Sequence, residues 1–420
     1  MGLRGPLLVL ALVLPGAAFA QHRQSPPDPS QVPDALRLKG DPASTAELGG
    51  ARAAPAPARG VDKSVTWFGA CCRTCLDARA QNPAGPTPKP PPLAFGQPRD
   101  VAAAWLERLS GCKPHFFHLP ATTLACALPE SNAADLSAEE AARLRVWFPD
   151  LPATPQKLTA HQAAHVWADR LVALDAAIAD LLDLDDEGRL KVKAGPYGPV
   201  AYERGEVVVF ADPKAARAFD EYLFGPDVWS GAGGVFTDRP TTSLALGELS
   251  PAMRRRRFAF AAASTRLRAV SRMERGVAPW MRVGLAHFFE HRAAPSDAKT
   301  DDAASGSLPP DFSLTTETKP PPDRALFVRE TIHAGVAPRF DALALSTEEG
   351  LSTRSRLCAW GVTRFLIGLD RAKYAALWRR LAAAQPGAPR EKAFAEAVKE
   401  TYGVDVPTLD NAWRVWAVSK

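Results

Sequence analysis

The stretch from Thr159 to Leu182 constrains this 420-residue chain more than any other. Trp167, Leu171, Leu174, Ile178 and Leu181 recur at alternating four- and three-residue steps, with charge between them. That spacing lays one apolar stripe along a long helix and demands a second layer to cover it. Thr159 is the expected N-cap. Val207-Val208-Val209-Phe210 has the length and character of a buried strand, and Asp212-Pro213 opens a second helix with Pro in its permitted first turn. Thr242 to Leu246 reads as another strand. Helices are expected over Arg255–Met273 and Pro279–His291, joined at Gly276. More follow over Leu357–Leu369, Tyr374–Ala384, Glu391–Tyr402 (Gly403 its C-cap) and Val406–Val418. A few strands among many helices predict an α+β, mostly helical fold.

Residues 1–20 read as a secretory signal: Arg4, an apolar run from Leu7 to Leu14, then Ala18-Phe19-Ala20 with cleavage after Ala20. The expected location is secreted or periplasmic. The apolar run is too short to cross a bilayer, and no membrane span is expected in the mature chain. Residue 21 is Gln, so no lipoprotein anchor is indicated there. Residues 21–60, rich in Pro, Ala and Gly, predict a disordered linker. Residues 61–150 read as a small cysteine-bearing unit interrupted by a Pro-rich loop at 82–98, after which a short helix is expected from Val101 to Leu109. The main domain runs over 158–420, with a mobile insertion at 294–324.

The net charge of +5 gives no argument for nucleic acid or an anionic surface. Arg254 to Arg257 is a basic run without a recognition motif and reads as a solvated helix start. Gly231 to Gly234 lacks the Lys-Ser/Thr of a phosphate loop, and no G-x-S-x-G exists. In an oxidising compartment, Cys71, Cys72, Cys75, Cys112 and Cys126 are disulfide candidates. The alternative is structural zinc held by Cys72, Cys75, Cys112 and His115 or His118. Cys75 is followed by Leu, not His, so the sequence gives no support for covalent haem attachment. Cys358, in an apolar helix, reads as a buried free thiol.

Residues 277–290 read Val-Ala-Pro-Trp-Met-Arg-Val-Gly-Leu-Ala-His-Phe-Phe-Glu. This resembles the third-ligand segment, P-W-x-x-E-G-L-A, of the peptidase-MA-like (gluzincin) metallopeptidases. The order of elements over Leu158 to Lys420 is similar to that family. So is the helical tail at Trp360–Leu369 and Ala393–Trp413, with Tyr402-Gly403 and Asn-Ala-Trp-Arg. The resemblance implies a gluzincin-like domain behind the cysteine-containing unit, with a metal between two helices. Its histidines would fall near Ala261 and Thr265, its base near Ala262 and its ligand glutamate at Val283. Arg254 to Met273 contains no His, Asp or Glu in any register. A zinc hydrolase needs about three protein ligands and a base for the bound water. The resemblance therefore implies a non-catalytic pseudopeptidase without a cofactor. Its old cleft, lined by Trp280, His287, Glu290 and His291, would still hold a peptide or an envelope partner, because substrate contacts and chemistry are separable.

Two other readings stand beside it. His287-Phe-Phe-Glu290-His291 matches H-x-x-E-H, the inverted zinc motif, and would make an active zinc metallohydrolase. Glu330 or His333 would then be its third ligand. The third reading is a structural cell-envelope protein docked through the cysteine unit. His161, His165 and Asp169 form a further stripe at i, i+4 spacing, readable as a two-histidine metal pair or as packing.

Overall fold

The computed structural model describes residues 26–38, 66–67, 99–118, 122–134, 136–185, 188, 190–191, 205–224, 240–271, 277–294, 324–348, 350–384 and 389–419. The expected signal segment, Cys71, Cys72, Cys75, Gly231 to Gly234 and residues 295–323 of the expected insertion lie outside them. The described chain is mostly helical with a small mixed sheet, an α+β arrangement. Among the described residues no helix is long and apolar enough to cross a membrane.

The sheet runs in the order β1 (Thr66–Trp67), β2 (His115–His118), β3 (Thr122–Ala127), β6 (Gly205–Phe210), β7 (Thr241–Ala245). The pairs β1–β2 and β2–β3 are antiparallel, and β3–β6 and β6–β7 are parallel. Leu124 aligns with Val207, and Val207 with Thr242. Every residue of β3 and β6 is buried, because helices cover both faces. On one face Ala125, Val208 and Phe210 pack against α1 (Arg99–Ser110) and α4 (Pro213–Phe224) through Leu106 and Phe219. On the other, Leu124, Val207 and Val209 pack against α3 (Ala160–Leu182) and α5 (Pro251–Ser271) through Trp167, Leu171 and Phe258.

The long helix begins where the sequence placed it. Thr159 accepts from the Gln162 amide, and the Gln162 side chain accepts from the Thr159 amide, a reciprocal cap. A second box, Ser137 with Glu140, opens α2 (Ala138–Trp147). Glu140 also grips Arg170 of α3 through two bonds of 2.7 and 3.1 Å, which ties the two helices together. The short strands β4 (Ser131–Asn132) and β5 (Lys157–Leu158) make a separate antiparallel ribbon beside them.

Beyond α5 lies a helical layer: α6 (Pro279–Ala293), α7 (Arg324–His333), α8 (Phe340–Leu345), α9 (Thr353–Leu369), α10 (Arg371–Ala382), α11 (Arg390–Tyr402) and α12 (Val406–Val418). The helix α5 serves both layers. Phe258, Ala261 and Ala262 join the sheet core, while Ala263, Leu267 and Val270 join the helical core. A helix buried nearly all round needs small residues where its neighbours come closest, and its Ala-rich centre supplies them.

Two sequence expectations are corrected here. The strands β2 and β3, expected within a separate unit at 61–150, pair into the sheet that continues with β6 and β7. Parallel pairing of β3 to β6 binds the two halves through the backbone itself. The expected linker at 21–60 is also partly structured. Residues 26–38 carry two short 3-10 turns and bury Val32 and Leu36 in the helical core. The Asp28 amide donates to Asn411 Oδ1 at 3.0 Å, and Asn411 Nδ2 donates back to the Asp28 carbonyl at 2.8 Å. Two buried aliphatics at about 1.5–3 kcal/mol each, with a reciprocal hydrogen-bond pair, offset the ordering of a short segment.

Candidate functional site

Among the described helices, α5 and α6 form the most extensively packed pair. Pro279 sits in the first turn of α6. Trp280 is fully buried, its ring 6.1 Å from Phe340 and 6.0 Å from Phe394. Gly284 lies against α9, where a Cβ would stand 2.5 Å from the Ala359 carbonyl and from Thr363 Oγ1. The Pro-Trp and Gly of the motif thus build the helix start, the aromatic anchor and a close helix crossing.

The space expected of an old metal cleft is filled. Ala261, Ala262, Thr265 and Val283 are all buried. Thr265 Oγ1 donates to the Ala261 carbonyl at 2.9 Å and receives the Thr242 hydroxyl at 2.6 Å. A Cβ on Gly205 would stand 2.6 Å from Thr265 Cγ2, so β6 begins in direct contact with the helix. Ala261 and Ala262 belong to the sheet core and Val283 to the helical core, so the four positions face two different interiors.

The H-x-x-E-H residues form a charge-satisfied knot, not a cleft wall. His287 is fully buried, and its Nδ1 donates to Glu290 Oε2 at 2.7 Å. Arg324 Nη2 donates to Glu290 Oε1 at 2.8 Å, and Arg256 Nη2 stands 3.7 Å from the same oxygen. Burial pushes the Glu290 carboxyl up. Arg324, the His287 hydrogen bond and Arg256 outweigh it and hold the group well below the usual carboxylate range. Burial pushes the His287 imidazole down, against Glu290. His291 packs edge-on to Trp360 at 5.4 Å. Its imidazole is pushed down to about 4 by burial, then by Arg324 and Arg256. A divalent cation here would meet arginines already holding the one carboxylate. Glu330 and His333 are exposed and add nothing to the buried group. Arg256 is itself buried, which corrects the expectation of a uniformly solvated basic run.

His161 and His165 meet at 3.0 Å between their Nε2 atoms. The His115 ring from β2 stacks on His161 at 5.0 Å, and Phe148 flanks both helix histidines. Asp169 turns away to Arg143, at 2.7 Å. The stripe is thus an aromatic packing seam. Among the described residues no group of three or more His, Cys, Asp or Glu is placed to hold a metal ion. Among the described residues Cys112, Cys126 and Cys358 form no disulfide, and Cys126 and Cys358 are buried.

Sequence reasoning missed a hollow bordered by several elements. The chain leaves the carboxyl end of β3 towards α3 on one face of the sheet and leaves that of β6 towards α4 on the other. Adjacent parallel strands whose connections part in this way leave a crevice at their carboxyl ends. A cavity of about 300 Å³ lies there, lined by Leu128, Trp167, Arg170, Leu246, Gly247 and Arg254 among others. Arg170 is engaged by Glu140 and stacks on Trp167 at 4.4 Å. Arg254, in the first turn of α5, donates through Nε to the Leu249 carbonyl at 2.9 Å and has no carboxylate partner among the described residues. An adjoining hollow of about 670 Å³ runs along β4 and β5 and shares Glu130, Ser131 and Asn132 with the first. Comparison with protein-family models, with curated proteins and with solved structures returns no match to this chain.

Proposed function

We propose that this is a secreted, non-catalytic pseudopeptidase of gluzincin-like fold that binds a peptide or an envelope partner without cleaving it. The observation that carries the reading is the division of labour within one motif. Pro279, Trp280 and Gly284 each do structural work, while the positions for metal and base hold Ala261, Ala262, Thr265 and Val283, all packed. Glu290, the remaining carboxylate of the segment, is committed to Arg324, Arg256 and His287. With the old cleft closed, binding moves to the hollow at the carboxyl ends of β3, β6 and β7, which has the concave, mixed apolar and polar lining of a ligand site.

The test is a peptide-library binding measurement on the mature chain, with hydrolysis followed in the same samples and metal content measured on the purified protein. Peptides retained intact are the expected result. Cleavage, or stoichiometric zinc that disappears in a folded His287→Gln variant, overturns the reading in favour of a metallohydrolase. A library from which nothing is retained overturns it in favour of a structural role.

A further inference from the structure

The geometry points to the strand-end hollow as a receptor for a carboxylate carried on an apolar residue, the carboxyl terminus of a peptide, with Arg254 as its anchor. The inference rests on the peptide-binding reading and says which end of the peptide is held.

Three independent features meet at this place. The first is position: the crevice opens where β3 and β6 send their chains to opposite faces of the sheet, just beyond the last paired residues Ala127 and Phe210. The second is the wall. Leu128, Trp167 and Leu246 are buried apolar side chains that border the cavity and suit an aliphatic or aromatic terminal residue. The third is charge. The two arginines of the wall differ in one respect. Arg170 is neutralised by a two-bond grip from Glu140, whereas Arg254 keeps its terminal guanidinium nitrogens without a carboxylate partner among the described residues. A guanidinium fork fits a carboxylate with two parallel hydrogen bonds. The first turn of α5 contains no acidic residue, so the positive end of the helix reinforces Arg254. Glu130, exposed on the side shared with the second hollow, is the acidic residue that lines the cavity. It disfavours an anion there and so sets the polarity: carboxylate at Arg254, peptide body running out along β4 and β5 past Lys157.

Calorimetric titration of the mature chain with acetyl-Ala-Ala-Leu, its C-terminal amide and hexanoate tests this. Loss of one charge-assisted pair corresponds to roughly tenfold in affinity or more. The acid peptide is expected to bind, the amide to bind at least about tenfold more weakly, and Arg254→Gln to lose the same factor for the acid and nothing for the amide. A second variant, Ala211→Phe, narrows the cavity without altering charge and is expected to weaken every ligand, with folding verified by thermal denaturation. Equal binding of acid and amide, or an Arg254→Gln variant that binds the acid as the parent does, overturns the carboxylate anchor and leaves peptide binding standing. Hexanoate bound without either peptide keeps the anchor and overturns the peptide reading. No binding by any of the three overturns the site, and the library measurement then decides the peptide reading separately.

Discussion

Arg254 and Arg256 lie two residues apart on α5 and meet opposite surroundings. Arg256 points into the interior, is buried, and joins Arg324 around Glu290. Arg254 stands half-exposed at the lip of a cavity, with a backbone carbonyl and no carboxylate for company. A charge taken out of water must be neutralised within the fold, and once that is done it holds helices together and has nothing left for a ligand. A charge left at the edge of a hollow costs the fold little and keeps its binding capacity. The contrast separates structure from function more sharply than residue type does, since the H-x-x-E-H pattern looked like chemistry and Arg254 looked like a solvated helix start.

The largest effect is expected at Glu290. Glu290→Ala leaves two buried guanidinium groups and His287 without their shared acceptor, and is expected to cost about 3–5 kcal/mol in urea unfolding. A loss below about 1 kcal/mol would mean that the knot does not hold these helices together. Next in size, Gly284→Ala forces a methyl against the Ala359 carbonyl and Thr363 and is expected to cost about 1–3 kcal/mol, read the same way. Thr265→Val removes the acceptor for the buried Thr242 hydroxyl, with an expected loss of about 1–3 kcal/mol. An unchanged midpoint for Thr265→Val would show that the sheet and α5 are not joined there. Acid sharpens the picture further. The folded-state pKa of His291 lies near 4, below the ordinary histidine value of 6.5, so the fold favours the neutral ring. That contribution is complete above 6.5 and is lost as pH falls from there towards 4. His291→Phe should therefore flatten the acid limb of a stability–pH profile over that interval, and an identical limb would count against it. The smallest effect is expected for Arg254→Gln, within about 0.5 kcal/mol of the parent in stability. A large loss there would put Arg254 among the structural arginines and remove the contrast.

Legibility in the sequence follows the same physics. The helices α3, α9, α11 and α12 were readable because their apolar spacing and caps are local: Thr159 with Gln162, and Gly403 at a φ of 76° after Tyr402. The strands β2 and β3 were not. His115-Phe-Phe-His and the mixed small residues from Thr122 to Ala127 show no alternation, because helices bury both faces of the sheet and remove the polar side. The capping box Ser137–Glu140 was present in the sequence and would have found α2. The placement of 26–38 depended on Asn411, nearly the whole chain away, and no local signal marks such a partner. At the candidate site, residues 261, 262, 265 and 283 are Ala, Ala, Thr and Val in the sequence, and all four are buried. Their division between two cores was invisible, since it turns on which side of α5 each neighbour occupies.

The amino-acid sequence by itself determined the mostly helical character of this protein, the starts and ends of α3, α11 and α12 to within a residue, and the absence of His, Asp and Glu along α5. These are properties of residue type and short-range spacing. Tertiary structure alone decided that the first strands and the later ones make one sheet, that Glu290 is neutralised by arginines from two other helices, and that Arg254 borders a cavity. Each of these depends on groups tens to hundreds of residues apart. Burial and pairing act through distance in space, and the order of the chain does not record it.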